Sequence, residues 1–154
     1  MSAKLDQLAF RFFKLFAQYE YALKAMGYGR AGNADAAEPE WDRFANEVGT
    51  LLLQAENPDV VAARTYLFEN PPKRQVWVNG NAAWAEVPNV ERSAQMLVAH
   101  IRRVRNNLYH GGKFHGQWID PDRSLELLSK SLLLLEHLVS ADAGLHEAIQ
   151  GNAV

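Results

Sequence analysis

The sequence predicts an all-α fold: an up-and-down four-helix bundle with one or two extra short helices. Long segments have apolar residues at three- and four-residue steps, the spacing of one helix face. Proline, glycine and asparagine stand at the ends of these segments, where helices begin and end. The 154 residues contain no internal repeat and no low-complexity segment, so we expect one domain over residues 1–154.

The first long helix is predicted from about Leu5 to Met26. Gly27 and Gly29 end it, and we expect residues Gly27–Ala37 to form a loop. One apolar stripe runs along this helix and consists of Leu5, Leu8, Phe12, Leu15, Phe16, Tyr19, Leu23 and Met26.

The second helix is predicted to start at residues 38–41, where proline and acidic residues occupy the first turn. Its apolar face comprises Trp41, Phe44, Val48, Leu51, Leu52 and Ala55. Asn57 and Pro58 mark a break and the start of a short helix, which ends near Asn70. Residues 71–89 are the least helical part of the chain. The Asn79-Gly80 pair is compatible with a tight hairpin turn, and a loop is the alternative.

The third long helix is predicted from Pro88-Asn89 to the residues His110, Gly111 and Gly112. Its apolar face consists of Ala94, Leu97, Ile101, Val104 and Leu108. Asp120 and Pro121 supply an N-cap and a first-turn proline for the last long helix. This helix should reach about Val139, and a short tail helix should follow to Ile149.

Composition excludes several classes of function. The chain has no cysteine, which rules out disulfides, thiolate metal sites and cysteine nucleophiles. No apolar run approaches the roughly 20 residues of a membrane span. The first residues do not resemble a signal peptide, so we expect a cytoplasmic protein without membrane contact. With a net charge of −2, nucleic-acid binding would have to depend on a local basic patch.

Such a patch is present in the sequence. No acid occurs between Arg92 and Ile119, whereas the cations there are Arg92, Arg102, Arg103, Arg105 and Lys113. Residues 70–85 also lack acids and place Lys73 and Arg74 near Trp77 and Trp84. Aromatic rings among cations can stack on bases. We favour the alternative, in which both indoles fill the core beneath a loop.

The most informative segment has Arg105 and His110 separated by four residues, with Asn106 directly after the arginine. This segment resembles the signature of the HEPN superfamily, in which an arginine is followed by four to six residues and a histidine, often with a polar residue directly after the arginine. The resemblance implies a metal-independent endoribonuclease without cofactor, usually dimeric, of toxin–antitoxin or antiviral systems. Some relatives bind RNA without cutting it. One branch has a modifiable tyrosine two residues after the histidine, where this chain has Gly112.

The residue types suit metal-free RNA cleavage. Histidine titrates near neutral pH, so His110 can act as base or acid, and Arg105 offers a planar fork to phosphate oxygens. On an ideal helix, positions five apart are separated by about 140°, so the two side chains would not share a face. Either the helix ends in a way that brings them together, or a two-fold dimer combines two pairs in one cleft.

Further residues complete the predicted site. Asn106 would orient Arg105 or the phosphate, and Glu20 of the first helix could be an acidic partner of Arg105. We expect substrate contacts from Lys113, Arg102, Tyr109 and Asn107. His100 is expected to pack in the core. A metal pair of His110 with His115 is disfavoured because it lacks a third ligand.

The predicted partners are RNA, a second copy of the chain and an antitoxin or regulatory protein. Two other functions stay open. A binding module would keep the basic segment and show no cleavage. A structural helical partner would show no RNA affinity.

Overall fold

The computed structural model describes residues 2–88, 91–110 and 117–151. The chain is mostly helical. Its helices are α1 (Ser2–Ala25), α2 (Trp41–Phe44), α3 (Thr50–Gln54), α4 (Pro58–Glu69), α5 (Ala94–Tyr109), α6 (Pro121–Ala141) and α7 (Ala143–Ile149). A π-helical segment, Ala45–Gly49, joins α2 to α3 without a break in helical backbone angles. In the described part of the chain, no helix has both the length and the apolar character needed to cross a bilayer.

Two antiparallel hairpins correct the all-α expectation. Strand β1 (Gly29–Ala31) pairs with β2 (Ala37–Pro39), and β3 (Arg74–Val78) pairs with β4 (Asn81–Ala85). The first hairpin occupies the segment that we expected to be a loop, because three-residue strands are too short to show alternation. Asn79 and Gly80 form the turn of the second hairpin, with φ of 52° and 76°.

Two helix starts differ from the prediction. Pro39 ends strand β2, and the helix begins only at Trp41. A proline at the end of a strand loses no ladder hydrogen bond, so the same residue type serves both contexts. Helix α5 begins at Ala94 rather than at Pro88-Asn89. Its N-cap is Ser93, whose hydroxyl accepts a hydrogen bond from the Met96 amide at 3.1 Å.

The core lies between α1, α6 and the helical segment 41–54. Trp41 stacks on Phe16 with ring centroids 5.1 Å apart and on Tyr19 at 6.2 Å. The Tyr19 hydroxyl donates to the Leu135 carbonyl, which joins α1 to α6. Most of the leucine run 132–135 is buried here, so this run belongs to the core.

Helix α5 packs closely on the π-helical segment. A Cβ on Gly49 would lie 3.4 Å from a Val98 methyl group, so a small residue permits this approach. The inward face of α5 is buried and comprises Leu97, Val98, His100, Ile101, Val104 and Asn107. The rest of the helix carries Arg102, Arg105, Asn106 and Tyr109, none of which is buried.

Candidate nucleic-acid interface

The last turn of α5 brings Arg105 and His110 onto one aromatic ring. The Arg105 guanidinium carbon lies 4.5 Å from the centroid of the Tyr109 ring. The Tyr109 and His110 rings meet edge to face at 5.2 Å. The helix ends at His110, whose backbone is no longer helical, so its ring can approach Tyr109. Tyr109 is 62 % exposed, so its ring is open to solvent.

A second aromatic ring and an amide hold Arg105 in place. Its guanidinium carbon lies 5.7 Å from the Phe16 ring of α1. One guanidinium nitrogen donates to the Asn106 side-chain oxygen at 3.2 Å. Cation–π contact and this hydrogen bond restrict the guanidinium without neutralising its charge. The orienting role of Asn106 stays a prediction.

The predicted ion pair of Glu20 with Arg105 is not formed. Both residues are described, and no contact within 4 Å joins the carboxylate to the guanidinium. The Phe16 ring, on the same helix as Glu20, is the contact that Arg105 makes with α1. An aromatic partner preserves the positive charge for a ligand, whereas a carboxylate would compensate it.

Asn107 also differs from its prediction as a substrate contact. Its side chain is 6 % exposed, and its amide donates to the Lys73 carbonyl at 2.8 Å. The side chain therefore fastens the start of β3 to α5. It lies three residues after the apolar Val104, on the inward face of the helix, which is the sequence signal for this burial.

Of the other predicted substrate contacts, Arg102 lies in the part of the chain that the structure describes and Lys113 does not. Arg102 is half-buried, and its guanidinium carbon lies 5.7 Å from the Trp41 ring centroid. Lys113, Gly112 and His115 fall in residues 111–116, outside the described residues.

The arginines that the structure describes fall into three groups, according to whether the guanidinium contacts a carboxylate, only backbone carbonyls, or neither. Those with a carboxylate within 4 Å are Arg11, Arg30, Arg43 and Arg92. Those that donate to backbone carbonyls alone are Arg64 and Arg123. Those without an ion pair to any described residue are Arg74, Arg102, Arg103 and Arg105, which we call the open arginines. All of them lie on α5 or on the strand beside it.

Two of the open arginines repel each other. Burial lowers the pKa of Arg103, and the nearby charge of Arg74 lowers it further. Guanidinium groups held together without a carboxylate make a favourable site for an anion, because an anion would relieve this repulsion. The basic segment is evident in the sequence, but the proximity of Arg103 and Arg74 is not, since the hairpin brings them together.

The indoles of the second hairpin are exposed, contrary to the expectation that they fill the core. Trp77 is 75 % exposed and Trp84 is 38 % exposed. The core beneath them is already filled by helices, and the hairpin lies outside it.

His100 packs in the core as predicted. It is 1 % exposed, and its ring meets Phe68 edge to face at 6.3 Å. Neither ring nitrogen has a hydrogen-bond partner among the described residues. Burial, together with the charge of Arg103, lowers the pKa of His100 to about 4. The ring is therefore neutral at pH 7.

Comparisons with known proteins leave the family open. No family model, no curated protein and no solved structure matches this chain.

Within the described residues, no three histidine, aspartate or glutamate side chains form a group that could hold a metal ion. The HEPN resemblance therefore depends on the residues around Arg105 and His110 and on the helical character of the chain.

Proposed function

We propose that this chain is a HEPN-like endoribonuclease that cleaves RNA without a metal ion. The observation that supports it is the group of Arg105, Tyr109 and His110 at the open end of α5. A guanidinium and an imidazole meet there on one exposed ring, with no carboxylate beside them among the described residues. The RNA phosphate supplies the negative charge that this site lacks.

The chemistry follows from these side chains. A histidine removes the proton of the 2′-hydroxyl, and the 2′-oxygen forms a bond to the adjacent phosphorus. The bond from phosphorus to the 5′-oxygen breaks, and an acid protonates that oxygen. The products are a 2′,3′-cyclic phosphate and a 5′-hydroxyl. Arg105 stabilises the charge that develops on the phosphoryl oxygens, and Asn106 holds Arg105 in position.

A second copy of the chain completes the site. One chain supplies one such histidine, whereas the reaction uses both a base and an acid. A two-fold dimer would place His110 of each chain in one composite cleft. Light scattering at micromolar concentration should give twice the 17.3 kDa chain mass. A monomer that cleaves RNA would contradict the composite cleft.

The proposal extends to architecture and role. The chain would be a single domain, with α1, the segment 41–54, α5 and α6 as an up-and-down four-helix bundle. Helices α4 and α7 would be its short additions. The protein would act in the cytoplasm as a toxin or antiviral effector, controlled by an antitoxin or regulatory protein.

Cleavage of total RNA in excess EDTA tests the proposal. The wild-type protein should cut RNA, and His110→Ala should reduce the rate by about 10²–10⁴-fold, the usual contribution of acid–base catalysis. His146→Ala is the matched control because it removes an exposed histidine on α7, and it should cut at the wild-type rate. Equal rates for His110→Ala and wild type would contradict the assignment of His110.

A binding module is the second candidate, and the open arginines favour it independently of His110. These side chains would bind phosphates whether or not a reaction follows. This candidate would be supported if the wild-type dimer binds RNA but does not cleave it, either in EDTA or in magnesium. Absence of both binding and cleavage would favour the structural helical partner.

A further inference from the structure

The two exposed indoles of the second hairpin lie on one face of it. Trp77 pairs with Ala82, and Gln75 pairs with Trp84, in the antiparallel register. Side chains directly opposite share a face, and those two residues apart on a strand share it too. Trp77 and Trp84 are thus diagonal neighbours, the arrangement in which large rings of adjacent strands come within reach of each other.

We propose that the hairpin β3–β4 is a base-stacking platform for single-stranded RNA, and that unpaired RNA is the substrate class. The choice of RNA as ligand rests on the proposed function. The platform consists of Trp77 and Trp84, and its task is to hold unpaired bases near the open end of α5. Every base has a flat face, so an indole binds it with little sequence preference.

The hairpin is fastened to the helix that carries the proposed cleavage site. The Asn107 side-chain amide donates a hydrogen bond of 2.8 Å to the carbonyl of Lys73, the residue directly before β3. Asn107 lies two residues after Arg105 and three before His110 on the chain. Positions two apart on a helix point to opposite sides. A strand of RNA bound to the hairpin would therefore reach Arg105 by passing around the end of α5, which is about 10–12 Å across.

The charge around the hairpin favours a polyanion. No acid occurs in residues 70–85. Of the two acids that flank this stretch, Glu86 lies 3.6 Å from the Lys73 ammonium and Glu69 lies 3.8 Å from the Arg92 guanidinium. At the base of β3, Arg74 lies near Arg103, and neither has an ion pair to a described residue. The negatively charged phosphates of RNA suit this pair of arginines, and its bases suit the indoles. An acidic protein surface would also suit the arginines but would not account for the two exposed indoles.

Arg74 and the indoles occupy opposite faces of the hairpin. Arg74 shares its face with Val76 and Val78, and the indoles share theirs with Gln75 and Ala82. The sheet has only two strands, so each strand is also an edge. An RNA strand that reaches both groups must cross an edge, which a flexible single strand can do. A duplex cannot, because its bases are stacked and paired inside the helix.

Binding of labelled RNA measured by fluorescence anisotropy in EDTA tests the platform. All proteins carry His110→Ala so that cleavage does not interfere, and the probes are a uridine oligomer and a duplex of equal length. Trp77→Ala should weaken oligomer binding by about tenfold or more, the effect of losing one stacked base. Duplex binding should stay unchanged.

Two control variants separate stacking from folding. Trp77→Phe keeps an aromatic ring and should retain most of the affinity for the oligomer. Val78→Ala alters the opposite face of the same hairpin and should change affinity by less than about twofold, as expected where no base is stacked. Circular dichroism should give the same helical signal for all three variants.

The outcomes distinguish this inference from the proposed function. If Trp77→Ala binds the oligomer as tightly as its parent, the platform is wrong, even if the wild-type protein cleaves RNA. Equal losses on oligomer and duplex would also overturn it. If the wild-type protein never cleaves RNA but Trp77→Ala selectively weakens the oligomer, the platform stands and the endoribonuclease proposal fails. Release of a copurifying protein with unchanged RNA affinity would identify a protein-docking face instead.

Discussion

The inward and outward sides of α5 carry the same residue types in opposite environments. His100 and Asn107 are buried, one without hydrogen-bond partners among the described residues and the other bonded to the Lys73 carbonyl. His110 and Asn106 are exposed, and the Asn106 side-chain oxygen accepts a hydrogen bond from the Arg105 guanidinium. Residue type alone therefore does not assign a role on this helix. The side on which a residue lies decides whether it holds the fold or is open to a ligand.

The largest expected effect is on the outward side, at Arg105. Arg105→Lys keeps the charge but loses the planar fork, so we expect RNA cleavage to fall by about 10²–10³-fold, the usual cost of one transition-state donor. The measurement is the rate of oligoribonucleotide cleavage in EDTA. Arg30→Lys is the control because Arg30 is paired with Glu38 on the first hairpin, and it should cleave normally. A full rate for Arg105→Lys would show that charge alone suffices.

The next largest effect concerns His100 on the inward side of α5 and the stability of the fold at acid pH. The pKa of His100 is about 4 in the folded protein, against an ordinary value of 6.5. Below pH 6.5 the unfolded chain binds a proton that the folded chain does not. The free energy of unfolding should therefore fall from pH 7 to pH 4, by about 3 kcal/mol through this group.

Urea denaturation of wild type and His100→Leu at pH 7 and pH 4 measures this contribution. The leucine variant should lose about 3 kcal/mol less than wild type over this range, because it has no imidazole to protonate. His146→Ala should behave as wild type, since it removes an exposed histidine. Equal losses in wild type and His100→Leu would contradict a buried, unpartnered imidazole.

The adjacent asparagines should separate stability from activity. Asn107→Ala removes the donor to the Lys73 carbonyl, so we expect a loss of about 1–3 kcal/mol in the free energy of unfolding. Asn106→Ala removes an exposed side chain and should change this free energy by less than about 0.5 kcal/mol. Chemical denaturation gives both values. Cleavage assays should show the reverse order, with the larger loss of cleavage rate in Asn106→Ala. An Asn106→Ala variant as destabilised as Asn107→Ala would contradict the different roles of the two asparagines.

The smallest expected effect concerns phosphate contacts of the outward side. Arg102→Gln should reduce the slope of log affinity against log salt for single-stranded RNA by about 0.7, the contribution of one phosphate contact. Arg30→Gln should leave the slope unchanged. Titrations at several salt concentrations give the slopes. An equal change in both variants would mean that only the overall charge matters.

The helices could be predicted because their apolar stripes are long. Residues of α1, α5 and α6 repeat over several turns, and burial follows these stripes. The hairpin β1–β2 could not be predicted, since three-residue strands have no periodic signal. The start of α5 differs from the prediction because Pro88-Asn89 resembles a helix start, whereas the N-cap in the structure is Ser93.

The candidate site could be predicted in its residue types but not in its contacts. The segment around Arg105 and His110 is evident from the sequence. The contact of both with Tyr109 depends on how the helix ends. Asn107 could have been placed inward from the apolar stripe, because it follows Val104 by three residues. The exposure of Trp77 depends on where the hairpin packs, which no local pattern determines.

The end groups of the RNA products test the central claim most directly. The wild-type dimer is incubated with a defined oligoribonucleotide in excess EDTA, and the products are analysed by mass spectrometry. We expect a 2′,3′-cyclic phosphate and a 5′-hydroxyl, because the 2′-oxygen attacks the phosphorus. Products with a 3′-hydroxyl and a 5′-phosphate, or intact RNA, would contradict cleavage by Arg105 and His110.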